Sequence, residues 1–193
     1  MTDHLSRRPW SGLYQAGVPL TIEPASPTGL DMFRATALRN RDAVLAYYFD
    51  QPVTVAQFDA MSDALAVGLQ QRGAEPGERI AMYLQNIPQV LIAVLAAWKC
   101  GAVIVPCNPM LRERELVKIL SDSGSRILIC QEDLYAEVAR KALPSTAVQH
   151  TVTTSALAFL DPGAPVPRGL AGLTRARPAD TLDLLDLVDP HQN

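Results

Sequence analysis

The chain is expected to fold as an α/β protein, with a parallel sheet of mixed pairing at its edge and helices on both faces. Three observations carry that expectation. Helix-period and strand-like apolar patterns alternate between residues 30 and 152. Strand runs such as Ala102 to Val105 and Arg126 to Cys130 are short and mostly apolar, as strands covered on both faces are. Helical stretches close on glycines, Gly73, Gly101 and Gly124, just before the next strand. Such alternation puts right-handed crossover helices between parallel strands.

The elements follow in order. Residues 1–29 form a Pro-rich leader, expected as an extended arm. Leu30, Phe33, Ala37 and Leu38 then recur at helical spacing. Ala43 to Phe49 predicts a buried strand, and Asp50-Gln51-Pro52 turns it into a short strand from Val53 to Val55, making a hairpin. Thr54 and Gln57 stand at capping-box spacing, so a helix starts there. Phe58, Met61, Leu65 and Leu69 form its apolar stripe.

Glu75-Pro76-Gly77-Glu78 turns the chain into a strand from Arg79 to Leu84. Pro88 suits the first turn of the next helix, whose Val90, Leu91, Val94, Leu95 and Trp98 predict burial on more than one face. Ala102 to Val105 is expected as an interior strand. Leu111 to Ser123 is a helix with Leu116, Ile119 and Leu120 inward, followed by the strand Arg126 to Cys130. Leu134, Val138 and Ala142 mark another helix, and Val148 to Val152 another strand. These elements make up an α/β unit over residues 30–152. Residues 153–193 form a Pro/Gly-rich linker ending in an apolar patch, Leu182 to Val188, that needs a partner to bury it.

Composition narrows the function classes. With 48% apolar and 19% charged residues the chain buries a real core. Seventeen basic against 20 acidic residues give no field to gather nucleic acid. The longest apolar stretch, Ile87 to Pro106, is broken by Lys99 and Gly101, so no membrane span is expected. Cys100, Cys107 and Cys130 lack metal-ligand spacing and are expected as reduced core residues, which fits a cytoplasmic location.

No catalytic motif stands out. G-x-G-x-x-G, G-K-[ST] and G-x-S-x-G are all missing. His4, His150 and His191 are isolated, so no metal ligand set is expected. Asp180, Asp183, Asp186 and Asp189 recur every third residue and are expected to form a solvated helix face. Lys99 is expected to complement a helix C-terminus.

Several segments, taken together, resemble acyl-CoA synthetases of the adenylate-forming superfamily. Thr54 to Phe58, the turn Arg72 to Arg79, and Tyr83 to Pro88 resemble that family's opening motifs. Ala96-Ala97-Trp98-Lys99-Cys100-Gly101-Ala102-Val103-Ile104-Val105-Pro106-Cys107-Asn108-Pro109 is similar to its "K-x-G-A … P-x-N-P" segment. Leu116 to Leu128 resembles the helix, D-S-G, strand continuation. Pro9-Trp10, Tyr14 and Gly17-Val18-Pro19 resemble the entry to long-chain fatty-acid-CoA ligases.

The resemblance implies an N-terminal subdomain of a ligase that joins a carboxylate to ATP, then passes the acyl group to CoA, using ATP, magnesium and CoA in the full-length enzyme. The family's phosphate loop and catalytic lysine have no counterpart in these residues, so no catalytic residue is assigned and inactivity alone is expected. Leu182 to Asp189 resembles the linker preceding that loop. Where some relatives carry a basic residue after the N-P pair, this chain has Met110, leaving Arg112 and Arg114 as the candidate CoA contacts. The implied partners are the remainder of the ligase and a fatty acid. The alternative is a non-catalytic module acting through partner binding or self-association.

Overall fold

A computed structural model describes residues 8–188. Residues 8–28 are mostly exposed and irregular, with a single 3-10 turn at Pro9–Leu13. Helix α1 (Gly29–Arg39) begins at Thr28, whose Oγ1 accepts the Asp31 N–H at 3.1 Å. Phe33 and Ala37 are its buried side chains; Leu38, expected inward, is 88% exposed.

Strands β1 (Val44–Tyr48) and β2 (Gln51–Thr54) make an antiparallel hairpin closed by Phe49 and Asp50. Both turn residues have positive φ, 46° and 67°, the geometry that suits the right-handed twist of a two-residue hairpin. The expected burial of β1 is corrected here. The hairpin stands outside the main sheet, so Val44, Leu45 and Tyr47 face solvent.

Helix α2 (Val55–Gln70) starts on the predicted capping box: Gln57 N–H donates to Thr54 Oγ1 at 3.2 Å and Thr54 N–H to Gln57 Oε1 at 2.8 Å. Its Phe58, Leu65 and Leu69 are fully buried. The chain then runs through β3 (Arg79–Tyr83), α3 (Pro88–Lys99), β4 (Val103–Pro106), α4 (Glu113–Ser123) and β5 (Ile127–Gln131). Gly101, between α3 and β4, has φ 71° and packs so closely on Pro76 that an added Cβ would meet its ring at 3.3 Å.

Helical segment α5 is not uniform: Glu132–Leu134 leads into a π turn at Tyr135–Ala139 and then Arg140–Ala142. Strand β6 (His150–Thr154) follows, and after a long loop come β7 (Leu182–Asp183) and α6 (Leu184–Val188).

Five strands form one parallel sheet in the order β4-β3-β5-β6-β7. Among the described residues, antiparallel pairing lies in the separate hairpin. Alternate side chains serve two cores: Ile80, Met82, Ile127, Ile129 and Val152 face α2, α3 and α6, whereas Ala81, Tyr83, Leu128 and Cys130 face α4 and α5. Each large side chain fully buried this way contributes about 1.5–3 kcal/mol before entropy is counted.

Two further expectations change. The segment of β4 expected inside is an edge strand with Val103 half exposed, because an apolar run does not say how many neighbours a strand has. On α3, Leu91 and Trp98 remain partly exposed and Val90 and Val94 are half-buried, while Ile92, Ala93, Leu95, Ala96 and Ala97 are buried. The patch at Leu182 to Val188 does find its partner, since Leu184 and Val188 are buried in the core shared with α2.

Candidate functional site

Connections leave β3 toward β4 on one side and β5 toward β6 on the other, so the carboxyl ends of β3 and β5 diverge. In open α/β sheets ligands bind at such a switch point. A crevice of about 440 Å³ opens there, lined by Gln85, Asn86, Gln131 and Asp133 after the strands, by Tyr48 and Phe49 of the hairpin, and by the loop at Gly169, Leu170, Ala171 and Leu173.

Its parts are fixed from several directions. Tyr48 Oη donates to the Ala156 carbonyl at 2.8 Å, tying the hairpin to the loop after β6. Gln85 N–H donates to Gln131 Oε1 at 3.4 Å across β3 and β5. Beneath them Gln89 is buried, and its Nε2 donates to Thr154 Oγ1 at 3.0 Å and the Ser155 carbonyl at 2.8 Å, clamping α3 to the end of β6. Gln89 Oε1 is the one fully enclosed side-chain polar atom without a partner among the described residues.

Arg112 and Arg114 lie along the same carboxyl edge of the sheet, at the start of α4, but do not line the crevice. Both are exposed. The loop before them is anchored by Tyr83 Oη, which donates to the Leu111 carbonyl at 2.7 Å; burial raises that phenol's pKa. Asn108 Oδ1 accepts the Met110 N–H at 2.9 Å, and Arg112 N–H donates to Glu115 Oε2 at 2.9 Å. The loop is thus held in place, with Arg112 and Arg114 exposed beside it.

Lys99 sits at the opposite edge and does more than cap a helix. Its Nζ donates to Asp63 Oδ1 at 2.6 Å, Asp59 Oδ1 at 2.8 Å, Ser62 Oγ at 2.9 Å and the Asp59 carbonyl at 3.0 Å. Only 9% of the side chain is exposed. A fully satisfied ammonium of this kind is a strut between α2 and α3, with no lone pair for chemistry.

The expected aspartate face is also corrected. Asp180, Asp183 and Asp186 occupy a turn, β7 and α6 and pair with arginines: Asp180 with Arg140 at 2.7 Å, Asp183 with Arg175 and Arg177 at 2.9 Å, and Asp186 with Arg177 at 3.3 Å. Asp189, His4 and His191 lie outside the described residues. His150 begins β6, and no group of three His, Cys, Asp or Glu among the described residues is placed to hold a metal. Cys100, Cys107 and Cys130 are buried and free; burial pushes the Cys107 thiol up to about 11 and raises the other two, so none is a ready nucleophile. No helix among the described residues is long and apolar enough to cross a membrane.

The AMP-binding enzyme family matches residues 33–180. A long-chain-fatty-acid–CoA ligase of Escherichia coli O6:H1 is 31% identical over 150 residues, 77% of this chain and 27% of that protein. Malpinin synthetase of Mortierella alpina is 30% identical over 122 residues, 63% of this chain and 2% of that protein. The crystal structure of an anthranilate CoA ligase with anthranoyl-AMP superposes with a TM-score of 0.71 at 16% identity, covering 87% of this chain and 29% of that one. The chain thus spans about a quarter of the length of the curated ligases it matches. With that match over most of its length, the chain belongs to the AMP-binding enzymes, the adenylate-forming family that its motifs resemble.

Proposed function

We propose that this chain is the N-terminal scaffold of an ATP-dependent fatty-acid-CoA ligase, and that it is inactive by itself. The observation that carries the reading is the identity to long-chain-fatty-acid–CoA ligases over 77% of the chain. The chemistry of the described residues agrees with a scaffold. Thr54, Gln57 and Lys99 are spent on a cap and a strut, and the three thiols are buried. ATP, magnesium and CoA are cofactors of the complete ligase, and a fatty acid is its substrate.

Within this reading residues 1–29 are a leader, 30–152 the α/β subdomain and 153–193 a linker into the remainder of the ligase. Arg112 and Arg114 are the groups proposed to meet a CoA phosphate, as exposed guanidiniums on an anchored loop. The buried reduced cysteines favour a cytoplasmic protein.

The test is enzymatic. The complete protein carrying this region should release pyrophosphate from ATP only when a fatty acid is supplied, and form acyl-CoA. The 193-residue chain should show no exchange of pyrophosphate into ATP. Replacing Arg112 and Arg114 by Ala in the complete protein should raise KM for CoA and leave adenylation unchanged. Fatty-acid-independent turnover, or exchange by the short chain, refutes the assignment. A second reading, a non-catalytic self-associating module, draws on exposed Val44, Leu45, Tyr47 and Phe49 on the hairpin. A clean monomer in light scattering counts against it.

A further inference from the structure

The crevice at the carboxyl ends of β3 and β5 holds polar groups that the fold leaves unused. Gln131 is only 3% exposed, yet its carbonyl oxygen alone is engaged, by the Gln85 N–H; its Nε2 has no partner among the described residues. That nitrogen is not among the fully enclosed orphan atoms, so it keeps access to open space, and the space Gln131 adjoins is the crevice. A buried donor facing a cavity calls for an acceptor there. Asp133 Oδ1 accepts the Leu134 N–H at 2.9 Å, which leaves Oδ2 as an acceptor nearby.

The walls define the rest. Phe49 is 47% exposed and stands edge-on to Tyr48, ring centroids 4.8 Å apart. Tyr48 is in turn pinned through its hydroxyl to Ala156, so the aromatic wall is braced. Gln85 and Asn86 add exposed carboxamides, and no basic side chain among the described residues lines the crevice. An anion would find no counter-charge and would face Asp133. A donor and an acceptor beside an aromatic wall suit a flat ring with an amide edge.

We propose that this crevice binds an uncharged planar aromatic carboxamide or lactam, its ring against Phe49 and its amide edge between Gln131 Nε2 and Asp133. The inference does not rest on the ligase reading, because its readout is binding alone.

Benzamide is the probe and benzoate its anionic isostere, both titrated into the 193-residue chain by calorimetry and saturation-transfer NMR. Benzamide should bind saturably and benzoate at least tenfold more weakly. Phe49→Asn removes the ring while keeping a residue that tolerates positive φ, and should weaken benzamide at least tenfold; Gln131→Leu should do the same. Circular dichroism establishes that each variant is folded, and Arg34→Ala, at the opposite edge, should leave binding unchanged. If Gln131→Leu fails to fold, Phe49→Asn decides. Absence of saturable benzamide binding, equal affinity for benzoate, or unchanged affinity in folded Phe49→Asn overturns the proposal.

Discussion

Replacing Lys99 by Met removes the ammonium and keeps most of the stem that packs beside Phe33, whose ring centroid lies 6.0 Å from Nζ. Two carboxylates lose their shared partner. Asp59 is 26% exposed, so its charge-assisted bond is worth about 1.5–3 kcal/mol in the low-dielectric gap between helices. Asp63 is 66% exposed, and water screens its pair to roughly 0.2–1 kcal/mol. Ser62 Oγ loses little, since it also donates within its own helix, 2.6 Å from the Phe58 carbonyl and 3.0 Å from that of Asp59. The expected loss is about 2 kcal/mol, or a Tm drop of about 4–8 °C for a domain of this size. Urea denaturation of Lys99→Met, Asp59→Asn, Asp63→Asn and the two double variants closes two cycles. The Lys99–Asp59 coupling should exceed the Lys99–Asp63 coupling. A Lys99→Met loss under about 0.5 kcal/mol, or the reverse order of couplings, refutes the strut.

Three other outcomes are expected. Gly101→Val forces a β-branched residue to φ 71° against Pro76 and should cost more than about 2 kcal/mol in urea denaturation; retained stability contradicts that turn geometry. Thr54→Ala deletes the oxygen that accepts the Gln57 N–H and should lower stability by about 1 kcal/mol, seen as a Tm shift. The hydrogen bond from Arg126 holds the Glu78 carboxyl below its usual value near 4.5, outweighing the opposing effect of burial, with Arg126 Nη2 2.6 Å away. A depressed carboxyl stabilises the fold above its unfolded-state pKa, so this contribution is present at neutral pH and lost as pH falls below about 4.5. Stability measured against pH in Glu78→Gln should therefore fall less steeply through that window than in the parent.

The sequence disclosed order and local chemistry more fully than neighbours. The Thr54–Gln57 cap, the stripe of Phe58, Met61, Leu65 and Leu69, and the strand Arg126 to Cys130 are local patterns; the structure carries the cap, buries the stripe except for a half-buried Met61, and forms the strand one residue later, at Ile127–Gln131. Position in the sheet is a long-range fact. The hairpin after Ala43 is legible, but its first strand is expected to be buried and the run at Val103 to be interior; the hairpin stands apart from the main sheet and Val103 lies on an edge, because burial depends on partners that no local pattern names. Lys99 likewise looked like a helix-end cation, since Asp59 and Asp63 stand about forty residues away and meet it only through packing of α2 on α3. Gln131 carried no signal: glutamine at a strand end is ordinary until a switch point opens beside it. The exposed Arg112 and Arg114 were legible as charges following the N-P pair, and their use is a matter for the CoA experiment.

The docking of α6 on α2 gives the core a late closing step. Leu184 and Val188 complete an apolar surface begun by Phe58, Leu65 and Leu69, more than a hundred residues earlier in the chain. Synthesis from the N-terminus therefore leaves that face of α2 uncovered until β7 and α6 emerge. The intervening loop is long, but closure entropy grows only with the logarithm of length, so the penalty is modest once β7 has a strand to pair with. Contacts of such separation slow folding more than they weaken the folded state. A protease cut between residues 160 and 175 would leave β7 and α6 held by the β6 pairing, the Asp180 contacts to Arg140 and Tyr135, and packing on α2, and their release would expose the same surface that the nascent chain presents.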